Sequence, residues 1–326
     1  MIELFNVFLM SMLIITALAM VSSRHLFVTV MLSGFFSLLI AAIFLLLDAA
    51  DVALTEAAVG AGISTVLFLG ALALMDVEET VRGEKWIRIF SLFVVAVTTL
   101  ALVYAAFEQP AFGDPNAPIH QHVAPWYIQH VPIHMDIPNI VTGILGSYRG
   151  YDTLGEVFVV FTAGIGVLSI LGDPVKNRRQ RVVKKAGLRH YLIPRLVGRT
   201  LIPFIVLFGL YVQFHGEYSP GGGFQAGAII AAAIILFAIL EGEDQALKII
   251  PMRGLYFLMA SGALLYAGVG VATMLMGGRF LEYGVLADTM VAGQQWGILL
   301  IEAGVGMTVT GVLLTIFHAF AARSNL

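Results

Sequence analysis

Nine apolar stretches, each close to the length needed to cross a bilayer, dominate this sequence and leave few folds open to it. A helix rises about 1.5 Å per residue, so roughly 20 apolar residues cross ~30 Å of hydrocarbon, and a helix satisfies its own backbone groups there. The stretches lie near residues 3–21, 26–47, 53–75, 87–106, 153–172, 200–214, 222–240, 254–277 and 294–319, the sixth being the shortest. Hydrophobic residues make up 59% of the 326 and charged residues 12%, a balance that a water-soluble domain does not sustain. The expected fold is an all-α polytopic membrane protein with about nine transmembrane helices. The first stretch is long and has no basic residue before it, which favours a retained helix over a cleaved leader.

Lys and Arg are held on the cytoplasmic side of a membrane, so their placement sets orientation. With the N-terminus outside and the C-terminus inside, sixteen of the eighteen basic residues fall on the cytoplasmic side; Arg149 and Arg279 are the exceptions. This N-out, C-in arrangement matches a multi-pass protein of the bacterial inner membrane. The net charge of −3 decides nothing about partners by itself. The absence of cysteine removes disulfides, thiolate metal sites and iron–sulfur ligation. No resident cofactor or nucleic-acid partner is expected.

Two polar segments divide the chain into a three-helix module (1–80), a two-helix module with a long external loop (81–175), a basic linker (176–199) and a four-helix module (200–326). The linker reads as a cytoplasmic anchor for anionic membrane lipid. The external loop holds six of the eleven prolines and four of the eight histidines, which favours extended or turn backbone. His130, His134 and Asp136 invite a metal reading. Proline-separated loop histidines more often pack against a partner or face water, and no metal site is assigned.

Carboxylates inside a bilayer are costly and usually face protein or a hydrated cavity, so they mark ion paths. Glu56 lies early in the third stretch, Asp152 and Glu156 sit one turn apart at the start of the fifth, and Glu302 is well inside the ninth. Asp48 and Asp51 lie at a boundary, where hydrated acids are ordinary. In DVALTEAAVGAGISTVLFLGAL, residues such as Gly60 and Gly62 let helices approach closely, and burial of Glu56 among them would let it take and lose a proton. Asp152 and Glu156, in YRGYDTLGEVFVVFTAGIG, share a helical face and could share a proton. For Asp152, helix capping serves equally well. In FHGEYSPGGGFQAGAI, three consecutive glycines can bring main-chain dipoles up to an ion, or simply form a tight hairpin.

These strings carry a resemblance. DVALTEAAVGAG followed by VLFLGALAL resembles the module at the C-terminal end of the large A subunit of Mrp-type multisubunit sodium/proton antiporters and related membrane-bound hydrogenase subunits. The GAGISTVLFLGALALM run is also similar to the third helix of the small J subunit of respiratory complex I. RGYDTLGE resembles the E-type module of the same antiporters and hydrogenases. HGEYSPGGGFQAG is similar to the hallmark of the antiporter B subunit, through His215, Glu217, Pro220, Gly221, Gly222, Gly223, Phe224 and Gln225. Glu302 fits the last helix of that subunit. In many such antiporters the first two modules are fused to the A-type chain, whereas here all three share one polypeptide.

The resemblance implies a subunit of a sodium/proton antiporter complex, with Glu56 in a lateral chain of protonatable groups. Glu56, Asp152, Glu156 and Glu302 would form the ion or proton path, with Asp51 and the glycines in the surrounding motifs. Na+ and H+ would be cargo rather than cofactors, and the implied partners are antiporter subunits of types A, C, D, E, F and G. The same modules could instead serve a membrane-bound hydrogenase or related ferredoxin-driven oxidoreductase.

Overall fold

A computed structural model describes residues 2–75, 85–111, 113–172, 188 and 190–323. All nine stretches are long helices: α1 (Ile2–Ser22), α2 (Leu26–Leu46), α3 (Ala50–Leu72), α4 (Lys85–Phe107), α5 (Gly150–Leu171), α6 (Leu192–His215), α7 (Gly223–Glu241), α8 (Met252–Leu275) and α9 (Met290–Arg323). No strand occurs among the described residues. The chain is an all-α polytopic membrane protein. Within α3, residues Glu56–Ile63 wind more loosely as a π-helix, a departure that often marks functional positions.

Helix α9 is the centre of the fold, packing against α3, α5, α6, α7 and α8. Its glycines explain how so many neighbours reach it: Gly304 meets the backbone of Gly262 on α8, and Gly297 lies beneath the ring of Tyr283. Where apolar lipid cannot drive helices together, such close backbone approach does. Two of the buried threonines on α9 return their hydroxyls to carbonyls, Thr308 to Gly304 at 2.9 Å and Thr310 to Gly227 at 3.1 Å, so neither of these leaves an unpaired group in the interior. At the other extreme, α4 has no buried residue, and Trp86, Phe90 and Phe93 are left to lipid or another chain.

Two features differ from the sequence reading. Helix α6 begins at Leu192, so residues 192–199 are helix rather than linker; residues 173–187 and 189 of the basic run lie outside the described residues. The reason is a buried partner. Arg195 donates to both carboxylate oxygens of Glu241 at 2.7 and 3.1 Å, and Arg199 adds a contact at 3.1 Å; Glu241 is only 4% exposed at the end of α7. Replacing both arginines by alanine removes two charged partners of that buried carboxylate and should cost up to about 3 kcal/mol, moderated because the arginines are partly exposed. Adding Glu241→Gln should recover much of the loss in melts of solubilised protein.

The external segment is the second difference, being helical at Pro118–Gln121, Val123–Met135 and Ile140–Tyr148. Pro118 and Pro125 occupy first-turn positions whose amides have no intrahelical acceptor, so they do not oppose helix there. Trp126 stacks on His130 at 4.3 Å, and His134 Nδ1 is 2.7 Å from the Tyr148 hydroxyl, so these histidines pack within the chain. The segment is tied down on α9 and its neighbours. Tyr266 donates to the Gly150 carbonyl (2.8 Å), Tyr283 to Gly146 (3.0 Å) and Gln295 to Met135 (3.1 Å).

Candidate functional site

The turn from α6 to α7 gathers carboxylates from three parts of the chain. Gly222 has φ 144° and ψ 177°, a conformation open essentially to glycine alone. This geometry turns the amides at the start of α7 outward, where helix N-termini leave unpaired N–H groups and partial positive charge. Those amides hold acids: Gly223 N–H donates to the carboxylate of Glu302 on α9, and Gly221 N–H donates to Asp51 Oδ1 at 3.0 Å.

Asn139 fastens the arrangement. Its side-chain oxygen accepts from the amides of Val141 and Thr142, capping the helix that starts at Ile140. Its Nδ2 donates to the carbonyls of Gly216 and Ser219 at 3.0 and 3.1 Å, its own amide donates to Glu217 O at 3.0 Å, and Thr142 Oγ1 donates to Gly216 O at 2.7 Å. One short turn of the external segment thus holds the glycine junction in register.

Two cavities flank Glu302. The first, about 220 Å³, is lined by Asp51, Thr142, Thr153, Glu156, Gln225 and Glu302 among others. The second, about 280 Å³, is lined by Gln213, Glu217, Gln295 and Trp296, and again by Thr142, Gly222 and Glu302. Glu302 is therefore the wall the two share. Among the described residues, no Lys, Arg or His lines either one. Carboxylates brought together inside a membrane are the kind of group that marks an ion path.

The sequence-derived candidates divide. Glu156 and Glu302 reach the cavities; so do Asp51, read from sequence as an ordinary boundary acid, and Glu217. Glu56 does not line them: half-buried, it lays its carboxylate over Gly60 beside Ser37 of α2, in space a Cβ at Gly60 would fill. Gly62 on the same π-helical stretch meets the Ala57 carbonyl. Asp152 lies outside the lining, exposed and bonded to Arg149 Nε at 2.5 Å, while Arg149 holds the N-cap position of α5. Among the B-type motif residues, Phe224 and Gln225 line the first cavity, His215 stacks on Tyr211 at 4.7 Å and Pro220 is exposed. Sequence reasoning missed Asn139, Thr142 and Gln213. For Asn139 a signal existed, since Pro-Asn before an apolar turn is a helix-start pattern.

Burial holds the Glu217 carboxyl above the usual carboxylate range. The native fold then keeps this proton to higher pH than the unfolded chain does, so the group's share of stability is full below its unfolded value and is lost as pH rises through the raised one. Melts of solubilised protein from about pH 4 to 8 should lose that part of their decline in Glu217→Gln; an identical profile would contradict it.

Comparison with known proteins fits this geometry. A domain related to the MnhB subunit of Na+/H+ antiporter matches residues 193–315, and the family of the MBH D-type subunit, MbhD, matches residues 11–77. A Staphylococcus aureus protein described as antiporter subunit mnhB2 is 31% identical over 128 residues, 38% of this chain and 90% of that protein. The chain belongs to the MnhB family. Other relatives align over more of the chain. A Rhizobium meliloti protein described as a probable A/B-type K(+)/H(+) antiporter subunit is 26% identical over 92% of this chain and 32% of its own length. That relative's description joins A and B in one subunit. A Methanocaldococcus jannaschii protein is 31% identical over 174 residues, and the chain spans 66% of its length. Among solved structures, the Mrp complex from Dietzia matches with a TM-score of 0.75 at 25% identity, covering 98% of this chain and 35% of the matched one. The membrane-bound sulfane sulfur reductase, an archaeal respiratory complex, matches with a TM-score of 0.55 at 27% identity, covering 71% of this chain and 97% of the matched one.

Proposed function

We propose that this MnhB-family chain is a membrane subunit of an Mrp-type multisubunit cation/proton antiporter, and that the glycine junction is its ion-handling site. The observation that carries this reading is the gathering of Asp51, Glu156, Glu217 and Glu302 around two cavities with no basic side chain among the described residues that line them. Acids so placed can take up a proton on one face and a cation on the other, and Glu302 touches both cavities. With the N-terminus outside, the junction faces the external half of the membrane. The relatives' descriptions, which mention both Na+ and K+, support a monovalent alkali cation as cargo. Its partners are the other antiporter subunits, of A, C, D, E, F and G type, within the cell membrane. Glu56 on α3 and Asp152, bonded to Arg149, do not line the cavities, and the ion-carrying role falls to Asp51, Glu156, Glu217 and Glu302.

The test is cation-dependent proton movement in everted vesicles from a strain lacking its own antiporters, with the whole complex expressed with and without this chain. Exchange that depends on the chain and on Na+ or K+ supports the reading; exchange indifferent to the chain overturns it. The match to the sulfur reductase complex favours a second reading, in which the same fold moves ions for a respiratory oxidoreductase. Copurifying iron–sulfur subunits would select it.

A further inference from the structure

Gly222 does more than turn the chain. A methyl group placed on it would come within 3.1 Å of Glu302 Oε2, 3.3 Å of Gln225 Oε1 and 3.5 Å of Glu302 Oε1. Three acceptor oxygens thus face one open point beyond the bare Cα of Gly222, on the side where any other residue would carry its side chain. The Gln225 side chain is nine-tenths buried, makes no hydrogen bond with the described residues, and faces the first cavity. Acceptors facing a carboxylate across an open point repel each other unless positive charge sits between them.

We infer that Glu302 and Gln225 bind a partly dehydrated monovalent alkali cation beside Gly222. Every polar side chain close to the point offers oxygen, the donor type that hard cations take, and no imidazole or thiolate is there to favour a transition metal. One carboxylate in direct reach matches one positive charge. Gly223 N–H donates to Glu302 Oε2, the oxygen nearest Gly222, and so holds the carboxylate beside the point without supplying a competing charge. The inference rests on the reading that this junction handles the exchanged ion, and it assigns the ion to particular atoms.

The experiment measures the cation concentration that half-saturates exchange by the assembled complex in vesicles at alkaline pH, where protons compete least. Gln225→Leu removes the oxygen and should raise that concentration roughly tenfold with less effect on the rate at saturating cation. Gln225→Glu keeps oxygen and adds charge, and should lower it. If both variants raise it alike, the carboxamide serves as a hydrogen-bond donor to Glu302 and the cation site is overturned; if neither moves it, the site is likewise overturned. Glu302→Gln run alongside separates the two levels of the argument. Exchange surviving that change defeats the junction reading itself, whereas exchange lost there with unshifted Gln225 variants defeats only the cation site.

Discussion

Glu302→Gln should reduce cation-dependent proton exchange to below roughly one hundredth of wild type while the complex still assembles, the scale expected when an obligatory proton-carrying group is lost. The substitution is nearly isosteric and keeps an oxygen to accept the Gly223 amide, so the contact between α7 and α9 survives. What disappears is the ability to alternate between charged and neutral forms at the wall shared by both cavities. Glu302→Asp restores a carboxylate on a shorter arm and should recover a measurable fraction. Proton movement read by a vesicle pH dye, normalised to assembled complex, checks both variants. Wild-type exchange in Glu302→Gln would remove Glu302 from the path.

Gly223→Ala should act through the fold and prevent accumulation of assembled protein. A Cβ there would run into the Glu302 carbonyl, and would lie 2.8 Å from Val305 Cβ and 2.9 Å from Gly306 N. These atoms belong to the backbone or branch directly from it, so no rotamer change relieves the clash; α7 and α9 must separate, at a cost of about 3 kcal/mol or more. Gly155→Ala on α5 is the control, because nothing lies within 4 Å of its added Cβ. Alanine there should be neutral or gain up to about 1 kcal/mol from helix propensity. Membrane abundance by immunoblot, followed by thermal melts of whatever assembles, distinguishes the two. Equal abundance of both variants would mean that α7 and α9 are not packed as closely as described.

The transmembrane architecture was legible because a bilayer imposes one length and one composition on each helix, and nine stretches met both. What remained hidden was set by pairing across the sequence. The start of α6 could not be read from residues 192–199, since Arg195 and Arg199 look like loop charges until Glu241, more than forty residues on, is seen between them. The external segment read as extended because its prolines were counted without their positions within a turn. Helical spacing paired Asp152 with Glu156, but Arg149 at i−3 claims Asp152. Asp51 looked like a boundary acid because the amide that holds it belongs to Gly221, 170 residues away. The glycine run itself was legible as a place where backbone meets an ion or a helix, and it meets Glu302.

On this proposal, convergence on the junction, not presence on a transmembrane helix, decides which acids carry ions. Exchange in everted vesicles by assembled Asp51→Asn and Asp152→Asn complexes tests it most directly. Asp51→Asn, which keeps an acceptor for Gly221 but removes the charge, should lose most exchange, while Asp152→Asn should retain most of it. The reverse order, with Asp152→Asn inactive and Asp51→Asn unimpaired, would contradict the claim.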